Sequence, residues 1–125
     1  MTAPGWMNAI IGDFGRAAGL GDFALNARGA ATLAFETGAS LHFEYTGEAL
    51  AMAVSLAAPD AKALLALAHP RARHGFAVRT GLLAKSGRGI IAINIKERDV
   101  TLPRLNDAFG VLWRLAGEMG GAAWA

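Results

Sequence analysis

The sequence has no cysteine. Disulfides, thiolate nucleophiles and cysteine-based zinc sites are therefore excluded, and a reducing compartment fits. Charge is scarce as well. Asp, Glu, Lys and Arg make up 18% of the chain, and the net charge is only +2. So small an imbalance supplies no basic stripe for nucleic acid. Long hydrophobic runs are missing. The longest, "ALAMAVSLAA", falls well short of the roughly 20 residues that span a bilayer. The opening "MTAPGWMNAI" lacks a positive start followed by a sustained apolar run, so no export signal is expected. Together these absences predict a soluble cytoplasmic protein with no membrane insertion.

What the chain has in excess is apolar surface. Apolar residues reach 54% of 125 residues, many of them alanine. That length suits one domain, residues 1–125, with one core. A chain this short has much surface for its volume. Part of the apolar excess must therefore lie exposed or be covered by a partner.

Periodicity predicts the elements. Trp6, Ile10, Phe14 and Ala17 share one helix face, with Met7, Ile11 and Ala18 beside them, giving a helix near 5–18. Gly19 stands where a left-handed C-cap belongs, and Leu20 follows as its apolar contact. "ATLAFE", "SLHFEY" and "EALAMAVSL" alternate with period two and read as an antiparallel meander. "PDAKALLALAHP" reads as a helix from Pro59 to Pro70. "GFAVRTGLLAK" and "GRGIIAINIK" form a second hairpin across "SGRG". In "TLPRLNDAFGVLWRLAGEM", Leu102, Leu105, Phe109, Leu112, Ala116 and Met119 recur three and four apart, with Trp113 widening the stripe. Thr101 can cap this helix, and Pro103 fits its first turn. Leu105, Phe109 and Leu112 are expected to pack on the sheet, while Trp113 and Met119 extend toward another polypeptide. The order is α-β-β-β-α-β-β-α, an α+β fold with a twisted antiparallel sheet packed by helices.

The templates of chemistry fail one by one. His69 and His74, in "HPRARH", lack a third ligand for a metal, and no carboxylate lies in that segment. Ser40, Ser55 and Ser86 sit in no nucleophile elbow. The carboxylates are scattered, which leaves acid–base catalysis without a pair. "KSGRGI" precedes a strand and not a helix, so it builds no phosphate loop. No enzyme activity and no cofactor are expected. Arg71, Arg73, Arg79, Arg88 and Lys85 form a loose basic cluster, and a nucleic-acid-binding module on that hairpin is the alternative reading. No exposed aromatics interleave with those cations. What remains is a binding module, with apolar positions on both sheet faces that could receive an added strand or helix.

Several stretches sharpen this. "IIGDFGRAAGLGDF", "GFAVRTGLLAKSGRGIIAI" and above all "NIKERDVTLPRLNDAFGVLWRL", taken with the element order, resemble the class I chaperones of bacterial type III secretion, most closely the SycN-like branch. The resemblance runs from about Trp6 to Met119. It implies a dimer formed through the middle helix and neighbouring strand, which assigns Leu64, Leu65, Leu67, Phe76 and Val78 to the interface. It implies a client, the N-terminal region of a secreted protein, wrapped in extended form over Phe14, Leu20, Phe23, Leu33 and Phe35. No nucleotide is used. SycN-like members pair with a second small chaperone (YscB-like) and serve a secretion gatekeeper (YopN-like). Either a homodimer or such a heterodimer is therefore expected.

Overall fold

The computed structural model describes residues 2–36, 38–56, 72–73, 76–82 and 87–120. Helix α1 spans Gly5–Ala17. Its start has no side-chain cap, and the carbonyl of Pro4 accepts from Met7 and Asn8 instead. Its end is a Schellman closure. The amide of Leu20 donates to the Gly15 carbonyl at 2.7 Å, that of Gly19 donates to Arg16, and Gly19 has φ +75°. The buried stripe is Met7, Ile11, Phe14 and Gly15. Trp6, expected on that face, is 47% exposed. Trp6, Ile10 and Phe14 recur every four residues, and that row drifts around the helix, so its first member leaves the sheet while Phe14 stays on it.

Three strands follow: β1 (Ala30–Ala34), β2 (Ser40–Tyr45) and β3 (Ala49–Leu56). Beyond them come β4 (Ala72–Arg73), β5 (Phe76–Leu82), β6 (Gly89–Lys96), a 3₁₀ turn (Glu97–Asp99) and α2 (Leu102–Gly120). The expected helix at 59–70 lies outside the described residues. Neither β4 nor the 3₁₀ turn was expected from sequence. "HPRARH" read as loop, yet Ala72 and Arg73 pair with Ala77 and Phe76. Two residues are too few to show a period.

Among the described residues all pairings are antiparallel, and the sheet order is β1-β2-β3-β6-β5-β4. The last long strand thus inserts beside β3, with Met52 opposite Ile93 and Val54 opposite Ile91. The register places Leu41, Phe43 and Tyr45, then Leu50, Met52 and Val54, then Ile91, Ile93 and Ile95 on one buried inner face. Both helices pack there. Phe14 meets Phe43 and Phe109 edge-on, with centroids 5.7 and 5.5 Å apart. Leu105 and Leu112 are fully buried beneath α2. Thr101 caps that helix, its Oγ1 accepting from the Arg104 amide at 3.3 Å.

The outer face carries mostly small and polar residues, Thr32, His42, Glu44, Ala51, Ala53, Ser55, Ala92 and Asn94, with Ile90 beside Ser55. The single alternation in each strand therefore sorts the chain into an aromatic and aliphatic side and an alanine-rich side.

Candidate functional site: an apolar groove between the helices and the sheet edge

Where α1 ends, β1 ends and α2 passes its middle, three elements leave a groove of about 620 Å³. Ala18 and Leu20 form one wall, Phe35 another, and Phe109, Gly110, Trp113 and Arg114 the third. Each wall has a local cause. The Schellman closure turns the chain at Gly19 and delivers Leu20. The β1–β2 hairpin delivers Phe35, whose amide donates to the Ala39 carbonyl at 2.8 Å. One turn of α2 separates Phe109 from Trp113.

Aromatic contacts link these walls. Phe35 stands edge-on to Trp113 at 5.6 Å, and Phe109 tilts against Trp113 at 5.5 Å. Phe109 rests in turn on Phe14. Trp113 remains 42% exposed. Beside the groove lies β1, the edge of the sheet, which pairs with β2 on one side. An apolar groove next to a strand edge can take a segment that offers apolar side chains and backbone hydrogen bonds together.

The residues assigned to the client from the resemblance fall in different places. Leu20 and Phe35 line the groove. Leu33 is half-buried on β1 and packs against the core. Phe14 is fully buried and backs the groove through Phe109. Phe23 is buried against Phe43, and it borders a separate cleft with Asn8, Gly12 and Arg16. The groove also takes in Phe109, Gly110 and Trp113, which that set omits. The sequence signal there was Trp113, which widens the apolar stripe of its helix and was expected to extend toward a client or subunit.

Of the residues assigned to a dimer interface, Leu64, Leu65 and Leu67 lie outside the described residues. Phe76 and Val78 are 3% and 7% exposed, on the inner side of β5. The Arg104 guanidinium covers the Phe76 ring, 3.9 Å from its centroid. Outward, β5 presents Ala77, Arg79 and Gly81.

A polar cluster occupies the outer face. His42 Nδ1 is 3.1 Å from Thr32 Oγ1, and its Nε2 is 3.1 Å from Ser55 Oγ. Arg88 Nη2 donates to Ser55 Oγ at 3.0 Å, to the Ser55 carbonyl at 3.2 Å and to the Gly38 carbonyl at 2.7 Å. With Arg88 donating to Ser55, the serine hydroxyl is best used as a donor to a neutral His42. Burial first, and the Arg88 charge second, hold His42 below its ordinary pKa. A serine beside a histidine suggests a nucleophile, but the second ring nitrogen meets a threonine where a triad has a carboxylate. Ser55 is only 4% exposed. The cluster joins strands. Among the described residues, no three His, Asp or Glu side chains group as metal ligands do. His69, His74, Arg71 and Lys85 lie outside the described residues, as do the side chains of Arg73 and Met119.

Comparison with known proteins decides the family. Residues 6–120 match the family described as Type III secretory system chaperone SycN. The chain belongs to that family. Solved structures agree on the fold. A chain of the crystal structure of the Yersinia pestis type III secretion chaperone SycH, in complex with a stable fragment of YscM2, superposes with TM-score 0.71 at 12% identity, covering 91% of this chain and 99% of that one. A chain of the ExsC–ExsE complex gives 0.70 at 17% identity, with 93% and 92% covered. A chain of the HopA1–SchA chaperone–effector complex gives 0.65 at 20% identity, with 87% and 89% covered. Among curated protein sequences none matches this chain. Membership in a secretion chaperone family sets the nucleic-acid alternative aside. No helix among the described residues is long and apolar enough to cross a membrane.

Proposed function

We propose that this chaperone binds the N-terminal region of a secreted protein in the groove of Leu20, Phe35, Phe109 and Trp113. The observation that carries this is the half-exposed Trp113, held edge-on by Phe35 and at a tilt by Phe109 at the edge of the sheet. Preformed aromatic surface of this kind anchors a flexible segment at low entropic cost to the receptor. The client adds backbone pairing along β1 and drops apolar side chains into the groove. Phe14 and Phe23 support this surface from within, and Leu33 continues it along β1. No nucleotide is consumed, because binding alone keeps the client extended and competent for export.

The client we infer is a gatekeeper of secretion, YopN-like, and the setting is the bacterial cytoplasm. A second subunit completes the functional unit, either another copy or a YscB-like chaperone. Leu64, Leu65 and Leu67 form the contact, with Phe76 and Val78 behind the strand that flanks it. A partner reaching β5 first meets Ala77 and Arg79. Support comes from the family's character and from the apolar excess of the chain.

The test is calorimetric titration of the purified chaperone with the gatekeeper's N-terminal region. Trp113→Ala is expected to weaken binding by about thirtyfold, the loss typical of a central aromatic anchor. Full affinity in this variant would refute the groove. Leu64→Asp or Leu67→Asp should break the subunit contact, read by light scattering after size exclusion.

A further inference from the structure

We propose that Arg88 is the positioning residue of the groove. Its guanidinium straps the β1–β2 hairpin to the end of β3 and so fixes where Phe35 stands. The structural part stands alone, and its consequence for client affinity rests on the groove reading above.

Arg88 stands just before β6, two residues ahead of Ile90, and the strand alternation continued to it places it on the outer face. From there its side chain crosses the end of β3, donating to the Ser55 hydroxyl and carbonyl, and reaches the Gly38 carbonyl. The strap joins residues 50 apart in sequence. All three contacts come from Nη2, whose two hydrogens are shared among three acceptors, and the planar guanidinium fixes the directions of those hydrogens where a lysine ammonium would rotate freely. The Ser55 hydroxyl is held from the other side by His42, so the strap has a fixed anchor.

The hairpin transmits that anchor to the groove. The Gly38 amide donates to the Phe35 carbonyl at 3.1 Å, and the Phe35 amide donates to Ala39. Gly38 has φ +88°, a conformation that side chains resist. Its carbonyl and the Phe35 backbone are thus parts of one tight turn. The Phe35 ring then meets Trp113. Arg88, on one face of the sheet, sets an aromatic wall on the other.

Hydrogen exchange on the full chain tests this, in a Trp6→Phe, Trp124→Phe background that leaves Trp113 as the sole tryptophan. Arg88→Met is expected to speed exchange at the Phe35 and Gly38 amides by about tenfold, as loss of a charge-assisted bond allows. The Phe43 and Met52 amides should stay protected, and Trp113 emission should move to longer wavelength. Arg88→Lys should fall between. Unchanged exchange and emission would overturn the strap. Loss of protection across β2 and β3 would overturn it too, since Arg88 would then hold the sheet and not the hairpin. Titration with the gatekeeper's N-terminal region separates the two ideas. If Arg88→Met loosens the hairpin and Trp113→Ala weakens binding while Arg88→Met does not, the positioning role is refuted. If neither variant weakens binding, the groove reading fails and the strap stands as a structural device.

Discussion

Two glycines one turn apart in α1 should respond to alanine in opposite directions. A Cβ at Gly15 would meet the Phe23 Cβ at 2.7 Å and the Gly21 carbonyl oxygen at 3.2 Å. Carbon atoms rest at about 3.5–4.0 Å, so nearly an ångström must be found. The obstacle is no flexible tip. It is the root of a buried ring that packs on Phe43, and a backbone carbonyl. Overpacking of this kind costs about 1–3 kcal/mol, and the gain in helix propensity returns up to about 1 kcal/mol. Gly15→Ala should therefore lose about 1–2 kcal/mol. At Gly12 the nearest atoms are the Arg16 guanidinium at 3.6 Å and the Phe23 carbonyl at 3.8 Å, which is ordinary contact. Gly12→Ala should gain about 0.5–1 kcal/mol. Urea unfolding at fixed protein concentration measures both, and the two midpoints should differ by roughly 1 M at an unchanged slope. A Gly15→Ala midpoint at or above wild type would refute the reasoning. The Gly15 carbonyl also accepts the Leu20 amide, so this variant should weaken client binding as well.

Gly110 lines the groove, and a Cβ there would meet nothing within 4 Å. Gly110→Ala should raise stability by about 1 kcal/mol, while Gly110→Leu should fold normally yet lose client affinity by calorimetry, because its side chain fills the groove. Since the folded pKa of His42 is depressed, the unfolded chain takes up that proton first as pH falls. The His42 contribution is intact above about pH 6.5 and is lost as pH drops from there through the lowered folded value. His42→Gln should flatten that part of the stability-versus-pH curve measured by urea unfolding. Thr101→Ala removes the cap of α2 and should cost about 1 kcal/mol by the same assay.

Strand faces were legible in the sequence because each strand has one buried side, so a period of two leaves little choice. Leu41, Phe43 and Tyr45, or Ile91, Ile93 and Ile95, could face nowhere else. The Gly19 cap was legible for a similar local reason. Helix phase was less so. Phe14 belongs to both the Trp6 row and the Met7 row, and only the sheet beneath decides between them. The groove was legible in outline through Trp113, yet its closure was not, since Phe35 and Trp113 are far apart in the chain. Arg88 read as one cation of a loose cluster. Its chief acceptor is a backbone carbonyl, which every residue possesses, so nothing in the sequence marks Gly38 as its partner. Gly15 was silent for a like reason, because a glycine chosen for close packing looks like any other.

These hidden contacts share a consequence for a chaperone of this family. An exposed apolar groove invites its own collapse, since nearby side chains gain by closing over it. Collapse would have to be undone at each encounter, at a cost in affinity. Here each wall is held by something other than the groove's own attraction. Hydrogen bonds at Gly15 and Arg16 hold Leu20, the hairpin and Arg88 hold Phe35, and Phe14 beneath Phe109 holds the third wall. The surface therefore stays open because backbone geometry, polar bonds and buried rings keep it so. It follows that variants which loosen these supports, and touch no groove side chain, should lower client affinity without making the groove less apolar. That outcome separates a preorganised receptor from one that the client itself must shape.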